Sequence, residues 1–284
     1  MLKIFSTYDQ TIDSLSNRAE EILSQPLAES DEYDLLLKIP GFIDLTTLEG
    51  SDTDQRVIRI CHQARFSAVN SALQDAAAVC VYPSLARTAS TMLQGSGIRV
   101  ASVAGAFPSG QTGLHVKLEE IRYAIGEGAD EIDTVISRGK LIEGRQAEVF
   151  DEISAMKETC GRVHLKVILE TGELNSVELI RRASELAILA GADFIKTSTG
   201  KIPIGATIPA FMIMLDTIRE YLEKTGKAIG IKPAGGIRTP EQAVTYARLL
   251  TGVLGGQWLQ RDFFRIGASS LADEILKITA HKGK

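Results

Sequence analysis

The stretch from Ser176 to Lys201, SVELIRRASELAILAGADFIKTSTGK, holds one complete helix-and-strand unit and shows how the rest of the chain is built. Across residues 176–190, Leu179, Ile180, Ala183, Leu186, Ala187 and Ala190 recur at the spacing of one helix face, while Glu178, Arg181, Arg182 and Glu185 are expected to face outward. Asn175 and Glu178 are spaced for a capping box at the start of that helix. Gly191 stands where a helix end wants a left-handed residue, and Gly128 holds the same place earlier in the chain. Both glycines are followed by Ala-Asp, which suggests a repeated helix-to-strand turn. A short apolar run with a lysine in it then leads into a glycine turn.

The same alternation occurs eight times from residue 42 onward. Candidate strands are 42–48, 77–83, 99–106, 131–136, 165–171, 194–199, 228–234 and 264–268. These runs are rich in Val and Ile and continuous rather than strictly alternating, as suits parallel strands covered on both faces. Eight such units predict an α/β fold of the (β/α)8 TIM-barrel type in a single domain, 41–284, preceded by a partly helical N-terminal extension, 1–40. An open doubly wound sheet fits less well, because no Gly-x-Gly-x-x-Gly turn follows the first strand.

At 284 residues, 44% apolar and 24% charged, the chain can bury a full core. A net charge of -5 gives no general attraction to nucleic acid or an anionic membrane, so an anion must be met by a local cluster. Cys61, Cys80 and Cys160 are odd in number and widely spaced, which argues for free buried thiols in a reducing compartment. No secretion signal and no membrane-length apolar run appears, so a cytoplasmic protein is expected. His62, His115, His164 and His281 do not cluster with cysteines or carboxylates at ligand spacing, so neither metal nor cofactor is expected.

Chemistry is suggested by two lysines in apolar strands. One lies in Phe194-Ile195-Lys196-Thr197 and the other in Gly230-Ile231-Lys232-Pro233. A free lysine is neutral in roughly one molecule in 2,500 at pH 7, so a nucleophilic amine needs a depressed pKa. Burial penalises the ammonium form, and on neighbouring strands about 4.8 Å apart each lysine would destabilise a charge on the other. That pattern points to imine chemistry. Spacing alone does not tell which lysine is the nucleophile, and each could instead reach the barrel rim or pair with a carboxylate. Asp133, inside the apolar fourth strand, is the candidate proton-moving carboxylate. Asp130 and Glu131 are expected at the solvent end of that strand. Asp44 on the first strand is a candidate for a substrate hydroxyl.

Phosphate handling is read from the last two units. Gly235-Gly236-Ile237-Arg238 precedes Thr239-Pro240-Glu241-Gln242, a helix start with a capping box, and Gly267-Ala268-Ser269-Ser270 precedes another helix. Helix N-termini with glycines and serine hydroxyls after strands seven and eight suit a phosphate monoester, and Lys201 can add charge.

These residues resemble the deoxyribose-phosphate aldolase family of class I barrel aldolases, from about residue 42 to about 275. The likeness rests on Asp44-Leu45-Thr46-Thr47-Leu48, Cys80-Val81-Tyr82-Pro83, Phe107-Pro108-Ser109-Gly110, Gly128 to Asp133, Glu170-Thr171-Gly172-Glu173, Phe194 to Lys201, Lys232 to Arg238 and Gly267 to Ser270. The resemblance implies that Lys196 forms the imine, that Lys232 tunes it and that Asp133 relays protons. It also implies substrate contacts from Asp44, Thr46, Thr199, Gly200, Lys201, Gly235, Gly236, Arg238, Gly267, Ser269 and Ser270. The implied reaction is reversible cleavage of 2-deoxy-D-ribose 5-phosphate to acetaldehyde and D-glyceraldehyde 3-phosphate, with no metal or cofactor. Small sugar phosphates and aldehydes would be the partners, and a homo-oligomer is compatible with the sequence. Some relatives end in a tyrosine that assists enamine protonation, whereas this chain ends His281-Lys282-Gly283-Lys284. Another imine-forming aldolase or transaldolase, and a silent sugar-phosphate binding protein, are the competing readings.

Overall fold

All eight expected strands form, each shorter than its apolar run. The computed structural model describes residues 4–282, so Gly283 and Lys284 of the C-terminal tail lie outside the described residues. The strands are β1 (Ile43–Thr46), β2 (Ala78–Val81), β3 (Arg99–Ala104), β4 (Glu131–Val135), β5 (His164–Ile168), β6 (Phe194–Lys196), β7 (Gly230–Lys232) and β8 (Ile266–Ala268). Every ladder is parallel, with sheet order β7-β6-β5-β4-β3-β2-β1-β8. Bridges from Ile231 to Phe264 and from Ala234 to Gly267 join the two ends, so the sheet closes into a (β/α)8 barrel.

The helices are α1 (Ile12–Ser24), α2 (Glu29–Lys38), α3 (Asp54–Gln63), α4 (Ala86–Leu93), α5 (Leu114–Gly126), α6 (Arg138–Ile142), α7 (Gln146–Cys160), α8 (Thr171–Leu174), α9 (Val177–Leu189), α10 (Ile208–Thr225), α11 (Pro240–Leu254) and α12 (Leu271–Lys282). Gly128 and Gly191 have φ of 95° and 96°, the left-handed stop expected after α5 and α9. Thr239 and Gln242 make the expected capping box on α11. The start of α9 differs from expectation. Ser176, not Asn175, caps the helix by accepting from the Leu179 N–H, while Asn175 ends the short α8 with φ 41°. The hydroxyl one position later reaches the free N–H groups, and the asparagine takes the left-handed turn that feeds it.

The polar face of α9 is also less exposed than its charges suggest. Arg181 and Glu185 are buried. The N-terminal segment runs over them: Phe5 and Tyr8 lie on the Arg181 guanidinium at 5.0 and 4.7 Å. Tyr8 donates to Asp216 on α10, and Arg18 of α1 bonds both oxygens of that carboxylate at 2.7 Å. Helix α1 packs on α10 and α11, so the extension covers the outside of the barrel wall that carries β6 and β7. Among the described residues, no helix is long and apolar enough to cross a membrane.

Candidate active site

Register brings the charged strand residues together. In the ladders Asp133 faces Lys166, Ile168 faces Lys196, and Lys196 faces Lys232. The two lysines singled out in the sequence thus occupy neighbouring strand ends, the rim where barrel sites assemble. Lys196 donates to Asp133 Oδ2 at 2.8 Å, and Lys232 donates to the same oxygen at 2.7 Å. Asp133 therefore lies between them.

The interior holds more charge than the sequence reading assigned to it. Lys166 donates to Glu131 Oε2 at 2.5 Å and to Asp133 Oδ1 at 3.0 Å. Arg265 bonds Asp44 at 2.6 Å and Glu131 at 2.7 Å, and Lys232 reaches Asp44 at 2.5 Å. Glu131 is wholly buried, against the expectation that it faces solvent. It lies two residues before Asp133, so the two-residue side-chain period of a strand points both into the barrel. Asp130 does stay outside, accepting from the Val100 N–H at 2.8 Å. Asp44 is held inside as a counterion of Lys232 and Arg265 and does not line the cavity above.

Counting these groups shows how the cluster stays electrically tolerable. Lys166, Lys196, Lys232 and Arg265 face Asp44, Glu131 and Asp133, and no side chain among them is more than 4% exposed. Arg99, about a third exposed at the far rim, also touches Glu131 but has Asp262 as a second partner. Four closed-in cations against three carboxylates leave one uncompensated charge, which is expensive in a dry interior. The cheapest relief is one neutral amine.

The individual groups show which one. Burial alone would raise the carboxyls of Asp44, Glu131 and Asp133, but the cations beside them hold all three below the ordinary range. Burial would likewise lower Lys166 and Lys232, yet their carboxylate neighbours keep both above the usual lysine value. Lys196 alone among the three lysines is depressed, mainly by burial and further by the Lys232 charge, with Asp133 attraction insufficient to offset them. Burial pushes the nearby Cys80 thiol up, so it stays neutral.

Above the ion cluster opens a cavity of about 270 Å³. Lys196 and Thr46 form part of its wall, with Thr199, Gly200 and Lys201 from the turn after β6. Gly235, Gly236 and Arg238 line it from the β7 turn, and Gly267 within β8 and Ser269 just after it complete that side. Ser270 is exposed and does not line it. Arg56 of α3 and Glu49, which pairs with Lys201 at 2.9 Å, also line the mouth and carried no signal in the sequence reading. Thr199 lines the wall with both of its donors already used by Glu170. A larger hollow of about 620 Å³ sits at the opposite rim, by Arg99, Asp130 and His164 at the starts of β3, β4 and β5, remote from the lysine pair.

Residues 41–259 match the family model described as DeoC/LacD family aldolase. The chain belongs to that family. It is similar to deoxyribose-phosphate aldolase of Mus musculus, at 46% identity over 257 residues covering 87% of this chain and 81% of the relative. It is also similar to the Homo sapiens deoxyribose-phosphate aldolase, at 43% identity covering 93% and 87%. A crystal structure provisionally named as a deoxyribose-phosphate aldolase from Coccidioides immitis superposes with a TM-score of 0.74 at 28% identity, covering 96% of this chain and 99% of that one. The family assignment agrees with the barrel and with the order of the sequence motifs along it.

Proposed function

We propose that the protein is a class I aldolase that reversibly cleaves 2-deoxy-D-ribose 5-phosphate into acetaldehyde and D-glyceraldehyde 3-phosphate through an imine on Lys196. The observation that carries this reading is the charge arrangement of the barrel interior, in which Lys196 is the one depressed amine and opens onto the cavity. The names of the relatives agree with it.

Neutral Lys196 adds to the C1 aldehyde, and loss of water from the carbinolamine gives a protonated imine. The two-carbon and three-carbon products require the C2–C3 bond to break, its electron pair passing into the imine to give an enamine while the C3 hydroxyl becomes the aldehyde of the phosphorylated product. Protonation at C2 and hydrolysis then release acetaldehyde and return the amine. The sharing of one Asp133 oxygen between Lys196 and Lys232 supports a role for Asp133 in passing protons between the carbinolamine and the C3 hydroxyl. Its depressed pKa suits a group that relays a proton rather than storing one. Leu48, Cys80, Ala101 and Val103 pack as a small apolar cluster separate from the main core, and Cys80 lies close enough to feel the Lys196 and Asp133 charges. Leu48 is the member of that cluster that lines the cavity, an apolar contact suited to the two-carbon fragment. Lys201, Arg238, the glycine turn after β7, and Gly267 and Ser269 at the end of β8 would hold the phosphate, so that binding energy at the far end aligns the reacting bond.

The proposal extends to a cytoplasmic protein acting on small phosphorylated sugars and aldehydes as a single catalytic barrel with its N-terminal extension. All three cysteines are free and buried, in keeping with a reducing compartment. A coupled assay for glyceraldehyde 3-phosphate release from 2-deoxyribose 5-phosphate tests the substrate directly. Release with deoxyribose 5-phosphate supports it, and release only from a ketose phosphate would move the assignment to another aldolase.

A further inference from the structure

The sequence Glu170-Thr171-Gly172-Glu173 follows β5, and none of the catalytic steps above uses it. Glu170 is wholly buried and adopts φ 56° and ψ 58°, the left-handed region that a residue with a side chain rarely occupies. Such a conformation persists only where the surroundings impose it, and it clusters at sites of function. The strained turn aims the carboxylate sideways at the next loop. Oε1 accepts from the Thr199 N–H at 3.1 Å and Oε2 from the Thr199 hydroxyl at 2.6 Å. The hydroxyl, its proton committed to Glu170, presents its lone pair to the Lys201 N–H at 3.1 Å.

The loops are stacked closely as well as bonded. A Cβ at Gly172 would meet the Ile204 carbonyl oxygen at 2.3 Å, and one at Gly205 would meet the Gly235 carbonyl oxygen at the same distance. The Ala206 N–H donates to that Gly235 oxygen at 3.0 Å. Behind Glu170, Arg138 from the β4 loop stands 4.0 Å from its carboxylate, donates to the Pro108 carbonyl at 3.0 Å and pairs with Glu173. A continuous set of contacts therefore runs from the β3 and β4 loops through Glu170 to Thr199, Lys201 and the Gly235 turn.

We propose that Glu170 is a positioning residue for phosphate recognition: it sets the turn at Thr199 to Lys201 and so places the anion-binding end of the cavity without touching substrate. This rests on the aldolase reading for its substrate. It predicts a split between the two ends of the site, since imine formation at Lys196 needs no phosphate.

The test compares the wild-type protein with Glu170→Gln, whose amide would point a donor at the Thr199 hydroxyl and reverse the bond that orients it. The KM for 2-deoxyribose 5-phosphate should rise roughly 10- to 100-fold, the range for losing a hydrogen bond to a charged group. Competition by inorganic phosphate should weaken in parallel. Borohydride-dependent capture of acetaldehyde on Lys196 should stay within about threefold of wild type on the same free-energy scale. Glu170→Asp, which keeps the carboxylate but draws it back from Thr199 and tolerates the left-handed backbone, should show the same split in weaker form if the Gln variant folds poorly. Equal loss of phosphate recognition and acetaldehyde capture would overturn the proposal, as would unchanged phosphate recognition in both variants. Wild-type protein that captures acetaldehyde but does not cleave deoxyribose 5-phosphate would instead remove the substrate assignment, and inorganic phosphate binding would still decide the role of Glu170.

Discussion

Replacing Lys232 with methionine should convert Lys196 from a neutral amine to a charged one while leaving the barrel folded. The 2.8 Å and 2.7 Å contacts to one Asp133 oxygen keep the two amines no more than about 5.5 Å apart. At that distance two unit charges repel by about 3 kcal/mol at an effective dielectric of ~20, which is roughly a hundredfold in the neutral fraction of Lys196. Removing Lys232 lifts that penalty, so protonated Lys196 joins Lys166 and Arg265 and three cations face three carboxylates. The cluster stays balanced, but its nucleophile is lost. Methionine is close to lysine in length and unbranched, so little packing should change. The direction in pH follows from the requirement for a free amine. A higher Lys196 pKa moves the acid limb of kcat/KM to higher pH, lowering the rate at neutral pH by about a hundredfold and restoring part of it in alkali. The assay is the pH profile of cleavage, run beside the pH dependence of borohydride capture with acetaldehyde. An acid limb that does not move, or a loss of rate equal at every pH, would refute the electrostatic argument.

The same charge count governs stability as well as rate. Lys196→Met should abolish imine capture yet leave the thermal midpoint at pH 7 equal to or above wild type. The native lysine binds fewer protons than the unfolded one, which opposes folding at neutral pH and fades only as pH approaches the ordinary lysine value near ~10.4; a loss above about 2 kcal/mol would contradict this. Glu131→Gln should cost about 3–5 kcal/mol by urea unfolding, because it leaves Lys166 and Arg265 short of a buried partner. For the wild type, Asp44, Glu131 and Asp133 have folded values below their unfolded ones, so their stabilisation is complete above about pH 5 and is lost as pH falls through the folded values. A urea midpoint that fell steeply between pH 8 and 5 would point to other groups.

The barrel was legible in the sequence because buried parallel strands need continuous apolar runs, while the helices covering them keep a one-sided pattern and a glycine stop. The strands are shorter than those runs mainly because their C-terminal ends open into the turns that line the cavity, as at Thr197 to Gly200 after β6. Lys166 carries the same signal as Lys196 and Lys232, a lysine among apolar strand residues, but no glycine-rich turn directly after β5 marks it as part of a site. Arg265 stands between Phe264 and Ile266 in the same way. Glu131 could have been placed by strand period from Asp133, whereas its position at the first residue of β4 suggested the outside. What the sequence could not supply is register. Pairing Lys196 with Lys232 and Asp133 with Lys166 depends on the stagger of the closed barrel, which no local pattern encodes. The burial of Arg181 is illegible locally for a related reason, since the aromatic cover from Phe5 and Tyr8 comes from far away in the chain.

Reductive trapping addresses the reactive amine without presuming the sugar. The protein is incubated with acetaldehyde and borohydride, digested, and its lysines are assigned by mass spectrometry. A two-carbon ethyl adduct on Lys196, with Lys166 and Lys232 unmodified, is the predicted result; an adduct on either of those lysines in place of Lys196, or no adduct at all, would contradict the account.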